Sequence, residues 1–360
     1  MIKKVLFQKR KIIFTLLISV TAIFFAIHYS KECSNGIIKG LSFCIQVLLP
    51  SLFLYMVIAS YIVRNGVADL ICKPFGKLTG FLFKIPPVGL VPVTLSLIGG
   101  YPIGAKCINT MYEKNILTEN QAEKCAYIAV AAGPGFLINY MGYALLNNKS
   151  AGNILLISQT TALIITGIIV SRIVKCDTCS NKATRSYGEK NIFVNSVKDG
   201  STGALSMCAM VVVFSALIEI TDSVIKNETL KDIICAFLEI TTGCNRMCGK
   251  YPLYVVAFFV GFSGLCVHFQ IFAALKFVNI KKIKFIAFRF ISGIIMLAIT
   301  YILLKVMPQY AATFSTVQDY KNAATSTTIW GASALLICAV CFLSSVNFSE
   351  NKRRKNQCAE

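Results

Sequence analysis

The chain has 360 residues, 56% of them hydrophobic and only 14% charged, with a mean hydropathy of +0.67, more apolar surface than one water-soluble core hides. The composition therefore excludes a soluble globular domain and predicts an all-α polytopic membrane protein. A net charge of +20 would suggest nucleic acid in a soluble protein, but here the basic residues gather beside apolar runs in the positive-inside pattern, so the expected partner is the lipid bilayer and not nucleic acid.

Residues 1–36 pair a basic start (Lys3, Lys4, Lys9, Arg10, Lys11) with an apolar run over 12–29 and no small-x-small cleavage site. They read as an uncleaved signal anchor. A first membrane repeat, 37–174, carries spans at 41–63, 125–146 and 151–174. Its 66–86 stretch places Val67, Leu70, Ile71, Phe75, Leu78, Phe81 and Leu82 at helical spacing among lysines, as in an interfacial helix. The 88–112 segment starts apolar and turns polar near Lys106, so it is expected to enter the membrane without crossing.

The polar stretch 175–200 is expected to be a cytoplasmic linker. Its Cys176 and Cys179 form a CxxC motif without a nearby histidine, and with the other such spacing, Cys338 and Cys341, inside an apolar run they read as an ordinary reduced loop. A second repeat, 201–346, carries spans at 204–221, 254–276, 284–304 and 327–346, with a part-polar stretch at 222–250. A basic tail, 347–360, ends the chain. The total is about eight membrane helices plus a re-entrant or broken segment, with both termini facing the cytoplasm.

The two repeats are visible as sequence. Residues 41–51, LSFCIQVLLPS, match 205–215, LSMCAMVVVFS, at Leu41/Leu205, Ser42/Ser206, Cys44/Cys208, Val47/Val211 and Ser51/Ser215. The same offset sets Gly100 opposite Gly264, Gly104 opposite His268 and Lys106 opposite Gln270. Two halves with glycine-interrupted segments point to a transporter whose site lies between them. The basic loops, however, favour a returning 88–112 and a crossing 254–276, whereas a strict inverted repeat treats equivalent segments alike.

Chemistry concentrates at the interruptions. In Gly99-Gly100-Tyr101-Pro102-Ile103-Gly104-Ala105-Lys106 the glycines release the backbone, and Pro102 suits a first helical turn. A helix amino end there would offer free N–H groups and about half a positive charge to an anion, with Lys106 one turn in. Gly133 and Pro134 break the 125–146 span, and Asn139 follows as an amide in need of a partner. Gly264 interrupts the second half ahead of His268 and Gln270, and Glu239 follows an apolar run. The expected roles are a cradle from Gly99 to Gly104, orientation by Asn139 and Gln270, and gating or proton coupling by Glu239 or His268. Walker A, dinucleotide-binding and HExxH signatures are absent, so the chain is expected to be neither an enzyme nor the holder of a cofactor or metal.

The order of Leu48-Leu49-Pro50-Ser51-Leu52-Phe53, GYPIGAK at 100–106, Gly133-Pro134-Gly135-Phe136, LEITTG at 238–243 and GFSGLCVHFQ at 261–270 resembles the YlbJ (SpoVV) family of sporulation integral membrane proteins, which carry a nucleoside-recognition "Gate" domain. The resemblance covers about residues 37–305. It implies expression in the mother cell of a spore-forming bacterium and passage of dipicolinic acid across the outer forespore membrane. Dipicolinate is a small aromatic dianion, whose charge suits Lys106 and a helix amino end. A nucleoside carrier, or a non-transporting assembly protein of the sporulation membrane, are the other readings.

Overall fold

The computed structural model describes residues 16–17, 19–21, 23–65, 67, 76–176 and 191–307, all within one compact unit. The described residues are helical and contain no strand. The 327–346 span, the basic tail, Cys179 and most of the 66–75 stretch lie outside them.

Helix α1 (Ser30–Phe43) passes through one π-helical turn, Cys44–Leu48, into α2 (Leu49–Arg64). Pro50 sits in the first turn of α2, where its missing N–H has no partner to lose, and the pair bends by 64°. Against it lies α8 (Ile192–Val224), which starts within the stretch expected to be linker. Gly36 packs on Ala216, Gly40 on Val212 and Val57 on Gly200, and the Arg64 guanidinium binds the Asp199 carboxylate at 2.7 Å. Falling numbers on one side against rising numbers on the other make the two antiparallel.

After the short α3 (Gly76–Leu82), α4 (Leu90–Gly99) and α5 (Tyr101–Glu113) meet at Gly100. They form a hairpin: a Cβ on Gly104 would lie 2.9 Å from the Ser96 Cβ and 3.0 Å from the Pro92 oxygen, so the second arm folds back along the first. The expected re-entrant 88–112 segment is this hairpin. Helix α6 (Glu119–Ile128) opens on a capping box, in which Thr118 and Gln121 satisfy each other's backbone N–H groups. The chain then extends over 129–133 and resumes as a π-helix, Gly135–Leu145, before α7 (Lys149–Ile173) returns alongside it.

A second hairpin, absent from the sequence expectations, follows α8. Helices α9 (Glu228–Leu238) and α10 (Ile240–Met247) meet at Glu239, and Gly243 leaves no room for a side chain against Ala236 on the facing arm. The part-polar 222–250 stretch is thus mainly a pair of packed arms. Helices α11 (Leu253–Phe262) and α12 (Gly264–Ala274) then run on as one broken span, and α13 (Lys282–Val306) returns beside them.

The two hairpins enter from opposite ends. At one end the α7 terminus meets the base of the first: Cys176 Sγ and Lys124 Nζ both bind the Lys84 oxygen, and Asn109 Oδ1 accepts from the Phe277 N–H just before α13. At the other, Arg246 binds Asp222 near the end of α8, Lys250 binds Asp232, and Tyr254 stacks edge-on with Tyr301 near the end of α13. Among the described residues four helices are long and apolar enough to span a membrane: Lys149–Ile173, Ile192–Val224, Leu253–Ala274 and Lys282–Val306. The bent pair in Ser30–Ile62 makes a fifth if it is one span.

This geometry revises the sequence equivalence. The first hairpin corresponds to the second, Gly104 to Gly243, and the broken span 119–145 corresponds to 253–274, since each joins a 10-residue helix to an 11-residue one. Helices α7 and α13 are 25 residues each. Gly100 is therefore not the counterpart of Gly264, nor Gly104 of His268, nor Lys106 of Gln270. The opening helices run antiparallel to α8, and the equivalence then agrees with the basic loops, because 88–112 folds as a hairpin and 253–274 as a broken span.

Candidate substrate site at the meeting of four chain breaks

Two hairpin tips, Gly100 and Glu239, and two span breaks, 129–133 and Ser263-Gly264, come together. The Tyr101 hydroxyl donates to the Val260 oxygen at 2.9 Å, tying the first tip to the end of α11. The Ala131 N–H donates to Ser96 Oγ at 2.9 Å, and a Cβ on Gly133 would stand 3.2 Å from the Gly100 nitrogen. A Cβ on Gly264 would stand 3.1 Å from the Ile240 nitrogen, which brings in the second tip. Irregular backbone of this kind persists at membrane depth only inside protein or beside a wet cavity.

Local chemistry explains each break. Gly100 adopts φ 96° and ψ −178°, a region essentially closed to residues with a Cβ, and Pro102 begins the next helix. Glu239 is 2% exposed; one carboxylate oxygen accepts from the Thr241 N–H at 2.9 Å and the other from the Thr242 N–H and hydroxyl at 2.7 Å. It is thereby committed as the cap of α10, neutralising that helix's amino end. Ser263, at φ 81°, is held in the left-handed region from outside its own segment.

The holder is Arg289, from α13. It is 1% exposed; Nη1 donates to the Val130 oxygen at 3.1 Å, and Nη2 donates to the Gly261 oxygen and, at 3.0 Å, to Ser263 Oγ. One side chain thus joins the interruptions of both broken spans at their carbonyl-rich helix ends, where a cation is favoured. Sequence reading passed over it as part of an apolar span flanked by lysines. An ionisable residue two turns inside such a stretch was the available sign.

Of the expected site residues, Gly99, Gly100, Tyr101, Pro102, Gly104, Gly133, Gly264 and Glu239 lie at the meeting and are buried, and Pro134 is half-buried beside it. Lys106 is half-buried further along α5. His268 and Gln270 are buried on α12, but each is occupied locally: His268 Nε2 bonds the Phe262 oxygen at 2.8 Å, and Gln270 Nε2 donates to Cys266 Sγ at 3.3 Å. Asn139 does not join them. It is exposed on the π-helix, whose Leu137 and Met141 face inward.

Among the described residues the amino ends of α5 and α12 carry no side-chain cap and lie at the meeting with Arg289, while the carboxyl ends of α4, α6, α9 and α11 and the Glu239 carboxylate bring the opposite sign to the same place.

No family model matches the chain, and no solved structure matches it. A curated protein does: the sporulation integral membrane protein YlbJ of Bacillus subtilis (strain 168), 21% identical over 321 residues, covering 76% of this chain and 77% of that one. The chain is a distant relative of YlbJ. The YlbJ match extends over most of both proteins, and with the long apolar helices it makes this an integral membrane protein related to one of sporulation.

Proposed function

We propose that the chain is a transporter that moves a small organic anion, dipicolinate, across the outer forespore membrane during sporulation, without covalent chemistry. One observation carries the reading: two hairpins enter from opposite ends and bring their tips to two broken spans, around an arginine and two uncommitted helix amino ends. Inverted halves with a site at their junction are the architecture of alternating-access carriers. The YlbJ relationship supports the sporulation context. A neutral nucleoside would leave the buried Arg289 guanidinium on neutral dipoles alone, and an assembly role would not need a buried cation there.

The purified protein in liposomes should take up dipicolinate saturably, with no competition from nucleosides. Lys106→Ala should reduce that uptake while the protein still inserts and accumulates. Competition by nucleosides would favour the nucleoside carrier. Absence of uptake by correctly inserted protein would leave the assembly role.

A further inference from the structure

We propose that Arg289 is the carboxylate-binding group of this site, and that a substrate carboxylate takes its Nε together with Nη2, displacing the Gly261 oxygen and Ser263 Oγ that Nη2 now holds. The inference rests on the anion-transport reading and assigns the recognition to a residue outside the motifs that suggested it.

Three observations meet on this side chain. First, among the described residues it is a fully buried guanidinium without an acidic partner, its terminal nitrogens binding the Val130 and Gly261 oxygens and Ser263 Oγ. The buried acid at the same meeting, Glu239, spends both oxygens on the start of α10. A buried cation held by neutral dipoles alone is costly, and an ionic partner relieves that cost. Second, among the described residues Arg289 Nε is buried and has no hydrogen-bond partner. A buried donor left without a bond is costly, and Nε with Nη2 is the side-on pair that grips a carboxylate through two parallel bonds. Third, the oxygens it now holds belong to the break between α11 and α12 and to the extended 129–133 segment. Freeing Nη2 from the Gly261 oxygen and Ser263 Oγ would loosen the break between α11 and α12 at the moment an anion arrives, while Nη1 keeps the Val130 oxygen, which links occupancy of the site to that break.

Arg289 presents a fixed planar fork from α13, which fits a carboxylate and not a neutral solute.

The test compares dipicolinate and picolinate uptake into liposomes by the wild-type protein, Arg289→Lys and Ser263→Ala. Arg289→Lys keeps the charge and loses the fork, so the KM for dipicolinate should rise about tenfold or more with Vmax changed far less. Ser263→Ala removes one competitor for Nη2 without touching the charge, and should lower that KM. A wild-type KM in Arg289→Lys, or a raised KM in Ser263→Ala, overturns the assignment; if the lysine variant does not insert, the alanine variant decides alone. Wild-type protein that moves neither acid ends the transport reading together with this one, whereas wild-type uptake with an indifferent Arg289→Lys ends only this one.

Discussion

Cys44 Sγ lies 3.7 Å from the carbonyl oxygen of Cys208, the residue 164 positions later that is its repeat equivalent. Equivalent residues meet only where a two-fold axis passes. Because α8 runs antiparallel to α1 and α2, that axis crosses the helices and inverts one half on the other. The neighbouring Lys39–Glu219 pair at 2.7 Å closes the same interface nearer its rim.

The close approach at this axis depends on small residues. A Cβ on Gly36 would stand 2.6 Å from both the Ala216 Cα and the Ser215 oxygen, which are backbone atoms that cannot swing aside. Gly36→Ala should therefore push α1 from α8 and cost about 1–3 kcal/mol, in the range of overpacked cores. The thermal midpoint of the detergent-solubilised protein measures it; an unchanged midpoint would show that the helices are not pressed together here.

The tip of the first hairpin is fixed by a turn and by one side chain. Tyr101→Phe removes the hydroxyl that reaches Val260 and should lose about 0.5–1.5 kcal/mol. Gly100→Ala, at φ 96°, should lose about 1–3 kcal/mol through strain. The phenylalanine variant should also expose the first hairpin more readily to protease, since the bond it loses crosses between the halves. Equal digestion of the two proteins would place the anchor elsewhere.

How much of this was legible beforehand follows from what each element shows in sequence. The first hairpin was readable, because Gly100, Pro102 and a polar second arm announce a turn that does not cross. The equivalence of the opening helices was readable too, because both copies kept Leu, Ser and Cys at matching places, but their antiparallel packing was not. The second hairpin was not. Its tip is Glu239, a cap that works through side-chain oxygens, where the first tip is a glycine that works by having no side chain. Loops of different length also change the offset from 164 at Cys44/Cys208 to 139 at Gly104/Gly243 and 133 at Lys149/Lys282, so a single offset paired Gly100 with a break of the other kind. Arg289 was hidden by the lysines before it, which made one more basic residue look like a flank. Asn139 was misplaced because periodicity alone does not tell an inward face of a π-helix from an outward one.

Outside the membrane spans, the base of the second hairpin carries a titratable tie. The hydrogen bond from Lys250 to the buried Asp232 carboxylate raises the lysine above its ordinary value of 10.5. A raised value means that the tie contributes fully below the ordinary value and is lost as pH climbs through the raised one. Lys250→Gln should accordingly melt below wild type at pH near neutrality, with the two converging only above 10.5. Asp232 keeps the Tyr251 hydroxyl at 3.1 Å in the variant, so the hairpin should still form. A difference that persisted undiminished at high pH would mean that packing of the lysine stem, and not its charge, supplies the effect.

The inverted arrangement makes a demand that no single contact satisfies: the mouths of the two hairpins must open on opposite sides of the membrane. The first mouth turns at Asn115 and the second chain entry at Asn227, which caps α9 through its side chain. Reporters fused after each, one fluorescent only in the cytoplasm and one enzymatically active only outside it, should light up in opposite compartments. The basic residues about the first mouth and α13 favour the cytoplasm for Asn115. Were both fusions to report the same side, the hairpins would enter together and their tips could not approach from opposite ends. The four breaks would then have to be brought together by a different path of the chain, and the meeting point of the halves would lose its structural basis.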